Sequence, residues 1–277
     1  LGFVARRNPS HSDDDGHGPK YLNTAETALY HKGDELFTAG QLLPGTVPVL
    51  AEGPFDAIAV TIATSGTHIG VAALGTSLTY QQASQLRSHS HQPIVATDAD
   101  LAGRVAAERD FWILSAHGLD PRLARLPEGS DPADMVARSD SDHLVRAVTS
   151  TSLLGDRLIE ERLRHLTTDQ AAVEAARVLA AQPPHRWTAG VEHIAERSGI
   201  PSVLLRTALV DMVRAWTKDV RGSADYQLAH VSDVRDRLAE LPTHPSGGYE
   251  QTIPDRRRTL AARRMAREGR RPANIPK

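Results

Sequence analysis

Four segments, VLAEGPFDAIAV (49–60), ALGTSLT (73–79), PIVATDADLAG (93–103) and LPEGSDPADMV (126–136), decide how the rest of the chain is read. They lie on or beside the strand-like apolar runs VPVLA (47–51), IGVAAL (69–74), PIVAT (93–97) and PRLARL (121–126). Between those runs come FDAIAVTIATS, TYQQASQLRSH, GRVAAERDFWILSAHG and PADMVARSDSDHLVRAV, amphipathic and each near the length of a three- to four-turn helix. Strands alternating with helices predict an α/β fold: a parallel sheet covered on both faces, with ligands at the carboxyl ends of its strands. Glu52, Asp98 and Asp100 all fall at such ends.

Working outward, residues 1–45 read as a short strand (LGFVARR), a polar SHSDDDGHGP loop and a segment of small polar and basic groups. The opening at Leu1, straight into a strand, reads as the middle of a longer polypeptide. After Ser150 the strand signals stop, and helices are predicted over LLGDRLIEERLRHL, TDQAAVEAARVLAAQ, WTAGVEHIAERSG and SVLLRTALVDMVRAW. Pro183-Pro184 and Gly199-Ile200-Pro201 break them for backbone reasons. The domains expected are therefore 1–46, 47–150, a helical 151–220, and a linker or basic tail over 221–277 holding one helix, YQLAHVSDVRDRLAEL. The tail ends in RRRTLAARRMAREGRR, read first as a solvated, flexible linker and second as an attachment to nucleic-acid phosphates. The pair of helices around Gly199 has the outline of a helix-turn-helix, but its second helix offers only Arg206 to a base, so packing is the expected role.

Composition limits the alternatives. The 277 residues, 40% hydrophobic and 24% charged, suffice for a soluble globular protein with one solid core and a smaller second one. Zero cysteines remove disulfides, thiolate zinc sites and cysteine nucleophiles. No apolar run reaches the roughly 18 residues of a membrane span and no secretory signal opens the chain, so a cytoplasmic location without membrane attachment is expected. The net charge of −2 does not argue against nucleic acid, because binding follows local patches.

Carboxylates at neighbouring strand ends are hard oxygen donors of the kind Mg²⁺ takes, one or two at a time, keeping waters for substrate phosphates to displace. On an extended backbone Asp98 and Asp100 point the same way, and Glu52 on a neighbouring strand faces them. Without a cation such a cluster is costly, since like charges raise one another's pKa. Asp131 in GSDPAD competes for a different role as a helix cap with Pro132 behind it, and Asp56 for complementing a helix dipole.

These segments, in order and spacing, resemble the Toprim catalytic core of bacterial DnaG-type primases, and the likeness extends upstream into GPKYLNTAETALYHKGDELF (18–37). The resemblance implies a Toprim-type sheet followed by an all-α subdomain, and residues 1–46 as the end of a polymerase subdomain. It implies an enzyme that transfers nucleotides, making short RNA primers on single-stranded DNA in replication with Mg²⁺ or Mn²⁺. Glu52, Asp98 and Asp100 would then be catalytic and, with Asp131 and Asp56, hold the metal. Lys20, Tyr21, Asn23, His31 and Lys32, joined by Arg6 and Arg7, would meet nucleotide or template. Ribonucleoside triphosphates, a single-stranded template and a replicative helicase are the implied partners. One departure stands out: where many primases carry DPD, this chain has Asp131-Pro132-Ala133-Asp134, and Ala133 cannot ligate a metal. Haloacid-dehalogenase phosphatases share DxD after a strand but need a threonine or valine where Ala102 stands. A Toprim nuclease, or a degenerate Toprim module that only binds nucleic acid in a mobile-element protein, is the alternative.

Overall fold

The computed structural model describes residues 3–6, 21–28, 31, 33–75, 77–165 and 168–240, which all fall within one compact unit. Lys20, Lys32 and Arg7, and the basic tail, lie outside the described residues. Near the amino end β1 (Val4–Arg6) pairs antiparallel with β2 (Tyr21–Asn23).

The main sheet has six strands: β3 (Leu36–Thr38), β4 (Val47–Ala51), β5 (His68–Ala73), β6 (Ile94–Ala96), β7 (Arg122–Leu123) and β8 (Ser152–Leu153). They lie in the order β3-β5-β4-β6-β7-β8. The four central strands are parallel as expected, whereas β3 and β8 close the two edges antiparallel, so the sheet is mixed. Strand β4 leads through α1 (Pro54–Ala63) to β5 on one side, and the chain returns through α2 (Tyr80–Arg87) to β6 on the other. That reversal opens a crevice at the carboxyl ends of β4 and β6, the usual place for a ligand in such sheets.

Side-chain alternation sorts the core into layers. Val49, Ile94 and Ala96 pack with Val60 of α1 and with Met135 and Leu144 of α4 (Pro132–Ala137) and α5 (Ser141–Thr149). Leu50, Val71 and Val95 face the other way, onto Leu86 of α2 and Phe111, Trp112 and Leu114 of α3 (Leu101–Ala116). The single helix expected over 132–148 is two, because the chain turns through Ser139 at φ 60° between them.

Beyond β8 come α6 (Leu154–His165), α7 (Thr168–Ala181), α8 (Trp187–Ser198), α9 (Ser202–Lys218) and α10 (Val220–Glu240). They share the core of the sheet: Leu158, Leu179, Ile194, Leu209 and Val231 belong to the cluster that holds Leu50 and Val95. The helix expected inside a flexible 221–277 segment begins at Val220 and is packed, with Ala224, Val231 and Val234 buried. Gly199, at φ 73°, ends α8 in a left-handed cap. Arg206 on α9 pairs with Glu192 on α8, which engages the one base-reading candidate of the helix-turn-helix outline.

A buried charge cluster ties the two parts together. Glu108 of α3 pairs with Arg162 of α6 and lies 2.7 Å from Nε of Arg235 on α10, and Arg235 also pairs with Glu161. Glu108 and Arg162 side chains are 1% exposed, so these charges survive only as partners.

Candidate metal centre

Parallel pairing sets Ala51 beside Ala96, so the chain leaves β4 and β6 at the same level. Glu52 follows directly, and its Oε1 accepts the backbone N–H of Asp98 at 3.1 Å. Strand β6 stops at Ala96, so Asp98 and Asp100 sit in the loop beyond it rather than on the pleat. Asp100 is the N-cap of α3, with Oδ1 accepting Gly103 N–H at 2.7 Å. Arg104 Nη1 closes the same loop on the Ala99 carbonyl at 2.8 Å.

Asp131 caps α4, accepting Asp134 N–H at 2.6 Å with Pro132 in the first turn, which is the capping geometry its sequence predicted. Asp56, buried in the first turn of α1, accepts Ala133 N–H at 3.3 Å and so joins α1 to α4. Ala133 thus contributes its backbone where it cannot contribute a ligand. Asp134, one position on, turns to Arg138 at 3.3 Å.

The acids feel one another. Partial burial lifts the Asp98 carboxyl to about 6, and the charges of Glu52, Asp131, Asp56 and Asp100 add to it. Deeper in α3, burial raises Asp110 to about 8; Arg109 opposes the shift and Glu52 adds to it. A divalent cation would relieve this repulsion, and the hard-oxygen donor set suits one. Among the described residues, however, no three acidic or histidine side chains already converge around a point that would hold an ion. The caps explain this: Glu52, Asp100 and Asp131 each have an oxygen turned to a backbone N–H. A carboxylate offers about four acceptor sites on two oxygens, so capping does not exhaust it. By charge and donor chemistry the residues fit a metal, given side-chain rotation.

The structure thus brings Glu52, Asp56, Asp98, Asp100 and Asp131 into one electrostatic neighbourhood. Arg6, Tyr21 and Asn23 lie on the β1–β2 pair, and His31 is exposed ahead of β3. Two exposed arginines that the sequence reading passed over, Arg104 and Arg125, line a pocket that includes Asp98. Their positions just beyond β6 and β7 were the available signal.

Gly103 holds the loop shut: a Cβ there would stand 2.0 Å from the Asp98 carbonyl oxygen, a backbone atom with nowhere to go. Gly103→Ala is expected to destabilise the chain by about 2 kcal/mol or more, at the upper part of the range for overpacking. Thermal melts check this, and an unchanged melting temperature would mean the loop is free to move.

Residues 49–136 match the Toprim-like family. The chain is 32% identical over 234 residues to a DNA primase of Synechococcus elongatus, covering 80% of this chain and 31% of that protein. It is 28% identical over 191 residues to a DNA primase of Clostridium acetobutylicum, covering 66% and 32%. The chain therefore spans about a third of the length of these relatives. Among solved structures, the zinc-binding and RNA polymerase domains of the Aquifex aeolicus primase match 74% of this chain and 50% of theirs, with TM-score 0.59 and 27% identity.

Proposed function

We propose, from a Toprim-like segment set in the fold of a primase catalytic core, that the chain is part of a DnaG-type primase. Its reaction would be nucleotidyl transfer, joining ribonucleotides into short RNA primers on a single-stranded DNA template. The observation that carries this reading is the set of four carboxylates around Asp98, at the crevice where the sheet order reverses.

Glu52, Asp98 and Asp100, with Asp131 and Asp56, would hold Mg²⁺ or Mn²⁺. When bound, such ions activate a 3′ hydroxyl and neutralise charge on the phosphates. The chain's own share is positional. The Glu52 contact to Asp98 N–H and the Asp100 cap fix the loop, and Asp56 fixes α4 and with it Asp131. Burial pushes the Asp110 carboxyl up to about 8, which favours its neutral form behind the site. Lys20, Lys32, Arg6 and Arg7 would meet phosphates, and Tyr21, Asn23 and His31 the nucleotide or template. In this reading the parent protein works in cytoplasmic DNA replication, and a replicative helicase is its proposed partner. Among the described residues no helix is long and apolar enough to cross a membrane.

The test is template-dependent synthesis by the full-length parent protein, supplied with single-stranded DNA, ribonucleoside triphosphates and Mg²⁺ or Mn²⁺. Oligoribonucleotides are expected. Template binding without synthesis under either metal would leave only a nucleic-acid-binding module.

A further inference from the structure

A pocket of about 350 Å³ opens in the helical half, bounded by α3, α7, α9 and the first turns of α10. Its apolar wall is largely aromatic: Trp112 of α3, Met212 and Trp216 of α9 and Tyr226 of α10 line it. Trp112 is buried and meets the Trp216 ring at a centroid distance of 6.0 Å, tilted by 48°. Tyr226 is half exposed and lies against His230, with 4.2 Å between ring centroids. Packing thus positions the rings before any ligand arrives, which lowers the cost of binding. None of the lining residues belongs to the acidic cluster at the sheet.

Two charged side chains reach this pocket, Arg177 and Asp219. Arg177 already has a counter-charge: its Nη1 donates to Glu174 Oε1 at 2.7 Å, one turn earlier on α7. Asp219 pairs with no cation among the described residues; its Oδ1 accepts the Gly222 N–H at 2.9 Å at the corner between α9 and α10. Of the cations beside it in the chain, Arg221 lies over the Tyr80 ring at 4.7 Å, and neither Arg221 nor Lys218 lines the pocket. The carbonyl end of α9 and the amide end of α10 meet at Asp219, and their opposite partial charges offset each other. What remains is one carboxylate without a counter-charge, set beside three aromatic rings.

That combination suits a particular chemistry. The faces of indole and phenol rings attract cations, indole most strongly, and an alkylated ammonium can satisfy rings and carboxylate together while its methyl groups bury against the apolar wall. The volume lies near the lower end of the roughly 300–1,000 Å³ usual for small-molecule sites, room for an ammonium head on a short chain. We infer that this pocket binds a small alkylated ammonium of about the size of choline, with Trp216 and Tyr226 against the cationic head and Asp219 balancing its charge. The binding stands apart from the proposed reaction.

The test is calorimetric titration of the chain with choline. Wild type is expected to bind, and Trp216→Ala to weaken binding about tenfold, the scale of a partly desolvated cation–ring contact. Asp219→Asn keeps an oxygen able to cap Gly222 and removes only the charge, so it should cost about threefold. Trp216→Phe, with a ring that attracts cations less, should bind at intermediate strength and replaces the alanine variant if that fails to fold. Trp187→Phe changes an indole that is bonded to the Gln182 carbonyl outside the pocket, and should leave the affinity alone. Dimethylbutanol, in which carbon replaces the nitrogen of choline, has the same shape without the charge and should bind about tenfold more weakly. Three results would overturn the proposal: no binding of choline by wild type; dimethylbutanol bound as tightly as choline, which would make the pocket a plain apolar cleft; or choline affinity unchanged in both Asp219→Asn and Trp216→Phe.

Discussion

Glu52→Gln is expected to lower ribonucleotide incorporation by the full-length parent protein at least about a hundredfold, the scale for removing one preorganised electrostatic group. Single-stranded DNA affinity should stay nearly unchanged, because phosphates are held by basic side chains and backbone N–H groups. The substitution keeps the size of the side chain and an oxygen able to accept the Asp98 N–H, so the loop is retained while the charge is lost. Charge is what a cation and the developing transition state require, so the loss appears in the chemical step and not in ground-state binding. Primer synthesis and fluorescence anisotropy, measured on one preparation, separate the two. Incorporation that persists in Glu52→Gln would remove the carboxylate from the mechanism.

The largest stability effect is expected at Glu108, at the buried junction of α3 with α6 and α10. Its carboxylate is the shared partner of Arg162 and Arg235, and both guanidiniums are buried. Glu108→Ala leaves buried Arg162 without its carboxylate and Arg235 with Glu161 alone, which costs about 3–5 kcal/mol for a broken buried pair. At about 2–4 °C per kcal/mol for a domain of this size, the melting temperature should fall by roughly 10 °C. Because Glu108 links α3 to α6 and α10, the sheet and the helical half should unfold together. Circular dichroism melts check this; a shift under 2 °C, or two separate transitions, would show that the cluster does not couple the halves.

The central strands were legible because β4, β5 and β6 are buried on both faces and read as continuous apolar runs. The edges were not. Strands β3 and β8 hold three and two residues, too few to show a period, and their antiparallel pairing depends on partners distant in sequence. The break between α4 and α5 carries no glycine or proline; Ser139 takes the left-handed turn instead. Helix α10 was expected as a helix within a linker, but Arg235 is buried by pairing with acids on α3 and α6, which sequence distance conceals. In the site, strand-end position alone exposed Glu52 and Asp98. The caps at Asp100 and Asp131 were visible as local patterns, whereas the Asp56 contact to Ala133 joins residues 77 apart and leaves no local trace. Asp110 lay hidden in the run RDFWIL, where an acid beside an arginine reads as surface.

Metal binding by the acidic cluster is the central claim, and a thermal melt with and without Mg²⁺ or Mn²⁺ tests it most directly. Asp98 carries a pKa raised from 3.8 to about 6, so its contribution to apo stability is full below about 4 and is lost as pH rises through 6. Cation and proton compete for the same carboxylate, so the stabilisation by metal should grow over that window. At neutral pH and a metal concentration a hundred times the Kd, wild type should gain about 2.7 kcal/mol, or roughly 5–10 °C. The double variant Asp98→Ala with Asp100→Ala starts from a different baseline because α3 loses its cap, so the increment on adding metal is the quantity to compare. A gain in wild type that is absent from the double variant is the predicted result; equal gains in both would contradict the account.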